Sequence, residues 1–100
     1  MNYNFHPAAE IEHLEFVVYL ESKRPGLGAV YLAEFERALS RACEFPKSYR
    51  IEMEPDIRRM SLKRFPFTIY YREKHRVIQV LAVAHHRRYP KYWLGRRNSV

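Results

Sequence analysis

The sequence predicts an α+β domain of order β-α-α-β-β-β, in which a helical hairpin packs on one face of a mostly antiparallel four-stranded sheet. Three observations carry that expectation. Apolar residues recur at helical spacing through the first half of the chain, a Pro25-Gly26-Leu27-Gly28 turn divides that half in two, and after Ile57 the period changes to the alternation of strands. The 100 residues fit a single domain, 1–100, with one core.

Residues 2–5 can form an edge strand, and Pro7 suits the first turn of a helix, where its missing N–H costs nothing. Ile11, Leu14 and Val18, with Val17 and Ala8 beside them, give that helix (8–23) an apolar stripe expected to face the core. Glu10 and Glu12 complement its positive end, Lys23 and Arg24 its negative end. A second helix over 29–45 carries Tyr31, Phe35, Ala38, Leu39, Ala42 and Phe45 at helical spacing and stops before Pro46. The tight turn makes the two helices an antiparallel hairpin.

In the second half, Met60 and Leu62 alternate with Arg59, Ser61 and Lys63, which reads as a half-buried strand over 57–64. Pro66 breaks it, and a strand over 67–73 follows, rich in aromatic and β-branched types. Its apolar set, Phe67, Ile69 and Tyr71, is expected to face the helices, leaving Thr68, Tyr70 and Arg72 on the open face. After a polar turn, the run Val77 to Ala84 predicts a central strand (76–85) covered on both faces.

Charge is distributed unevenly. Residues 1–50 hold six Lys and Arg against seven Glu, whereas residues 51–100 hold twelve against four Asp and Glu. After Asp56 the only acid is Glu73, so residues 57–100 carry a net charge of +11. A surface that mixes signs for solubility looks different. This one suits phosphates or an acidic protein. No stretch approaches the roughly 20 apolar residues that span a bilayer. The start of the chain lacks the basic, then apolar pattern of a secretory leader, and the lone Cys43 cannot form an intrachain disulfide. A soluble cytoplasmic protein without membrane contact is expected.

The segment His85-His86-Arg87-Arg88-Tyr89-Pro90-Lys91-Tyr92-Trp93 interleaves cations with rings, as proteins that hold RNA do, with Lys and Arg on phosphates and aromatic faces on bases. The plainer reading is a tail that caps the sheet with Tyr92 and Trp93. Imidazole titrates near neutral pH, so His85 and His86 are candidates for proton transfer. Lys63, Arg64, Arg72 and Arg87 are candidates for neutralising a phosphate, Arg88 and Trp93 for binding RNA, and Tyr92 for donating a proton or stacking. No metal site is expected, because His85-His86 and Cys43 lack ligand spacing. With three glycines and no Gly-rich phosphate loop, no cofactor is expected either. His6, His13 and His75 read as surface residues, and Glu10, Glu12 and Glu15 as a solvated helix face.

The stretch RRMSLKRFPFTIYYREKHRVIQVLAVAHHRRYPKYW and the RPGLG turn between the helices resemble toxins of the RelE/ParE family, the plasmid-stabilisation proteins of type II toxin–antitoxin systems. The resemblance covers about residues 2–93 and implies the fold just derived, a cognate acidic antitoxin and one of two activities. RelE-like members are mRNA interferases, metal-independent endoribonucleases that cut mRNA in the ribosomal A site. ParE-like members inhibit DNA gyrase without catalysis. Lys63 and Arg64 resemble the nucleases' cations on the sheet, Arg87 their arginine after the last strand, and Tyr92 their tyrosine. Thr68 stands where the nucleases carry a mid-sheet arginine, with Arg72 on the same face as the substitute. RNA cleavage, with His85, His86, Arg87 and Tyr92 as its catalytic group, is the leading expectation. Gyrase inhibition is the alternative, and a non-catalytic basic nucleic-acid-binding domain a third class.

Overall fold

In the computed structural model of the chain, which describes residues 1–98, the elements run β1 (Asn2–Phe5), α1 (Pro7–Lys23), α2 (Leu27–Glu44), β2 (Ile51–Met53), β3 (Ile57–Ser61), β4 (Phe67–Lys74) and β5 (Val77–His85). A short 3₁₀ turn, Leu94–Asn98, follows. The sheet is five-stranded and mixed, in the order β1-β5-β4-β3-β2, with β1 parallel to β5 and the other neighbours antiparallel. This corrects the four-stranded expectation: β2 is added on the β3 edge. Among the described residues no helix is long and apolar enough to cross a membrane.

Local chemistry sets the helix ends. The His6 Nδ1 accepts the Ala8 N–H at 3.1 Å ahead of Pro7, which caps α1. Gly26 turns the chain at φ 89°, where a side chain would be strained, and the Glu21 carboxylate accepts the Gly26 and Gly28 N–H groups at 2.9 and 3.0 Å. The start of α2 is thereby tied to the end of α1. A Cβ on Gly28 would lie 3.1 Å from the Val17 carbonyl, so the helices cross closely there.

The face of α1 that meets the core is not the Ile11-Leu14-Val18 stripe. Those residues are exposed, Val18 at 71%, while Ala9, Glu12, His13 and Leu20 are buried and Phe16 and Val17 half-buried. Apolar side chains surround most of this helix, and ring packing decides between the faces. Phe16 stacks on Phe67 at 4.0 Å, and His13 lies 4.1 Å from Phe35. Phe45, at the end of α2, is likewise exposed, whereas Tyr31, Phe35, Ala38, Leu39 and Ala42 are buried as expected. Val18→Ser should therefore change stability by no more than about 0.5 kcal/mol, and Leu20→Ala should cost about 2–5 kcal/mol. Urea denaturation of the two variants checks the assignment.

Neither His13 nor Glu12 is a surface residue. His13 is 7% exposed, its Nδ1 is 2.8 Å from the Tyr31 hydroxyl, and burial pushes its imidazole down to about 4. The unfolded chain, where the ordinary value is near 6.5, takes up this proton first as pH falls. Stability from His13 is complete above about pH 6.5 and drains away toward pH 4, by about 3 kcal/mol in all. Unfolding midpoints across that window should slope accordingly, and His13→Gln should flatten the slope.

The sheet separates two apolar clusters. Phe67, Ile69 and Tyr71 face the helices together with Met60, Ile78, Val80 and Val83, as the alternation predicts. Ile57, Leu81 and Ala82 lie on the far face under Trp93, with Tyr70 and Tyr92 packed against them. The far face is thus partly covered by the chain's own C-terminal segment.

Candidate functional site

Beside Trp93 the far face opens into a pocket of about 340 Å³. β3 supplies Arg59, β4 supplies Thr68 and Tyr70, and β5 supplies Ala84 and His85. The segment after β5 adds His86, Arg88 and Lys91. The cross-strand register Ser61–Thr68–Ala84 aligns the three strands at this end of the sheet. β2 brings Glu52 to the wall, where it pairs with Arg59 at 3.5 Å.

Backbone turns fix the two histidines. The Arg87 N–H donates to His85 Nδ1 at 3.0 Å, so the neutral ring carries its proton on Nε2 and presents a donor. The His86 N–H donates to the Pro66 carbonyl at 2.8 Å, which docks the β3–β4 loop on the end of β5. Arg88 stacks over the Tyr92 ring at 3.8 Å. His85, His86, Arg88, Tyr92 and Trp93 therefore line one pocket, but the two aromatic residues are committed elsewhere. Trp93 is 1% exposed and packs on Tyr70 at 4.7 Å. The Tyr92 hydroxyl donates to Glu12 at 2.7 Å. Burial first, then that hydrogen bond, raises its pKa above the ordinary phenol value.

Glu12 is the centre of a clamp. It accepts the Val83 N–H at 3.0 Å, the Tyr92 hydroxyl, and two Arg96 N–H groups at 2.9 Å each, while Arg96 also donates to the Leu81 carbonyl at 3.0 Å. β1 pairs with β5 only as far as Val80, so Glu12 and Arg96 satisfy the strand edge beyond it.

The remaining predicted cations lie apart from this pocket. Arg72 donates to Gln79 at 3.0 Å and to the Arg97 carbonyl at 2.7 Å. It stands four residues beyond Thr68 on β4, about 13 Å away at strand rise, and so does not take the place of a mid-sheet arginine. Arg87 is exposed and does not line the pocket. Lys63 and Arg64 line a different groove, of about 640 Å³, between α2 and β3 with Arg37, Arg41 and Tyr49. There Glu34 accepts the Lys63 and Arg64 N–H groups at 2.7 and 3.2 Å and the Arg64 Nε at 3.0 Å. Burial alone would raise the Glu34 carboxyl, but these hydrogen bonds outweigh it and hold its pKa below the ordinary value.

Arg59, Lys91, Arg37 and Arg41 were not singled out from the sequence. Arg37 and Arg41 carried a usable signal, since a spacing of four places two guanidinium groups on one helix face. Among the described residues no group of three or more His, Cys, Asp or Glu could hold a metal ion.

The chain matches, over residues 3–90, the family model described as the ParE toxin of the type II toxin-antitoxin system, parDE. No curated protein matches it. The match runs from within β1 to Pro90, and so takes in the α2–β3 groove and most of the histidine pocket but not Lys91, Tyr92 or Trp93. The protein belongs to the ParE toxins of type II toxin–antitoxin systems, a family whose members have a cognate antitoxin.

Proposed function

We propose that this toxin arrests growth by binding, with DNA gyrase as its target, rather than by cleaving mRNA. The observation that supports this reading is the dispersal of the residues matched to the nuclease set, Lys63, Arg64, Arg72 and Tyr92, away from one phosphate-sized site. Cutting RNA without a metal takes a base, a cation and an acid around a single phosphate. Here His85 and His86 share a pocket with Arg59 and Arg88, Lys63 and Arg64 open onto another groove, and Arg72 is tied to Gln79 and Arg97. The Tyr92 hydroxyl is occupied by Glu12. What remains is a basic, largely preformed surface suited to contact rather than turnover.

The test uses purified toxin in two reactions. Incubated with gyrase and supercoiled plasmid, it should accumulate cleaved DNA. With translating ribosomes, the mRNA should stay intact. His85→Ala/His86→Ala should still arrest growth. The mRNA interferase reading keeps one observation in its favour, the shared pocket of His85, His86, Arg59 and Arg88. It predicts codon-specific cuts that the double alanine variant slows by about 10²–10⁴-fold. Those cuts, with gyrase unaffected, would overturn the proposal.

A further inference from the structure

The outward face of α1 is left without a partner by the fold. Ile11, Leu14, Val18 and Tyr19 are each more than half exposed and border one shallow depression with Glu15. Large apolar side chains gathered in this way form a patch of roughly 300–600 Å², about the largest found on a monomer and often a contact surface. Ile11, Leu14 and Val18 also follow the three-then-four spacing of a seam between two helices. Charge is arranged along the same helix. Glu12 is taken by Arg96 and Glu21 by the Gly26 and Gly28 N–H groups, which leaves Glu10 and Glu15 exposed toward one end. Lys23 and Arg24 stand exposed at the other end, with the Lys23 Nζ 5.0 Å from the centre of the Tyr19 ring.

We propose that α1 packs against α1 of a second copy of this chain, antiparallel about a two-fold axis, and that the toxin dimerises through this face. A two-fold contact must be its own complement. Here Leu14 of one chain comes to the partner's Tyr19, and Glu10 to the partner's Lys23, each pair occurring twice. The opposed helix dipoles favour the same direction. Two such patches face to face bury about 1,000 Å², the least that a specific interface needs, which predicts a micromolar dimer rather than a permanent one. Other occupants fit less well. An acidic antitoxin or a nucleic acid would meet Glu10 and Glu15 along half of the face. Neither the α2–β3 groove nor the histidine pocket draws a lining residue from α1, so both basic surfaces stay open in the dimer. The inference is independent of which target the toxin poisons.

The experiment follows the mass of the full-length toxin by analytical ultracentrifugation from about 1 to about 100 μM, which brackets a micromolar dissociation constant. Wild type should pass from the mass of one chain to that of two. Val18→Lys, folded by circular dichroism, should raise the dissociation constant by about tenfold or more, because the dimer would bury unpaired ammonium groups. Leu14→Lys should do the same. Charge reversal tests the direction of the helices. Glu10→Lys and Lys23→Glu should each dimerise several-fold more weakly alone, since like charges then meet across the axis. Mixed, they should recover, because both pairs are again opposite in sign. A wild-type toxin that keeps the mass of one chain at about 100 μM would overturn the proposal. So would a dimer left intact by both lysine substitutions, or charge variants that do not recover on mixing. If Val18→Lys leaves the mass unchanged but escapes neutralisation, the face belongs to the antitoxin and the dimer is likewise excluded. Failure of the wild-type toxin to poison gyrase would count against the proposed function and leave this inference standing.

Discussion

Glu12→Ala is expected to lower the free energy of unfolding by about 3–5 kcal/mol, the range for removing one partner of a buried ion pair. The Glu12 and Arg96 side chains are only 11% and 17% exposed, so solvent screens little of the interaction. The substitution strands the Arg96 guanidinium and leaves the Val83 N–H and Tyr92 hydroxyl without their acceptor. At this chain length such a loss corresponds to a fall in Tm of more than about 10 °C. Glu12→Gln retains an acceptor for Val83 and should fall between the two. Arg96→Met, which removes the cation but keeps an apolar stem, tests the same clamp from its other end. Thermal unfolding followed by circular dichroism measures all three, and a Glu12→Ala protein melting within a degree or two of wild type would remove the clamp from the account.

Trp93→Ala should cost a comparable amount, about 3–5 kcal/mol. Trp93 is the largest fully buried side chain and the lid of the far-face cluster, over Ile57, Leu81 and Ala82. Its loss would empty the space beside Tyr70 and unseat the wall of the histidine pocket. Trp93→Phe should recover more than half of the stability, since the stacking surface survives. If Trp93 instead served to stack on RNA bases, the alanine variant would lose RNA affinity at near-normal stability, and a denaturation curve separates the two outcomes. As the sole tryptophan, Trp93 also reports on its own packing. Glu12→Ala should weaken that packing through Tyr92, shifting Trp93 emission to the red before global unfolding.

The fold was legible wherever pattern and packing agree. Phe67, Ile69 and Tyr71 alternate, and the alternation chose the correct face. Apart from Gln79, Val77–Ala84 is apolar on both faces, with the helices over one and Trp93 over Leu81 and Ala82 on the other. β2 escaped because three residues with a glutamate between Ile51 and Met53 carry little periodicity, and only pairing with β3, Ile51 with Arg58 and Met53 with Ile57, makes them a strand. The face of α1 escaped for a different reason. Its two sides are about equally apolar, and the deciding partners, Phe35, Phe67 and Val83, lie far along the chain. Glu12 looks like one more solvated carboxylate among Glu10 and Glu15 until the amide it caps, 71 residues away, is in view. For the site, composition located the basic half, but it could not show that the β3 loop and the segment after β5 open onto different surfaces.

The clamp joins residues 84 positions apart, so it also sets a timetable. A chain made at roughly 5–20 residues per second emerges with its N-terminal helices first. Glu12 then waits until 84 further residues have been made for the cation that neutralises it. Until Arg96 leaves the ribosome, the β5 edge beyond Val80 lacks Arg96's bond to Leu81, and until Trp93 arrives the far-face cluster stays open to water. The histidine pocket, whose wall is that same later segment, cannot form before it is made. A toxin built this way has neither clamp nor pocket until its chain has been made through Arg96.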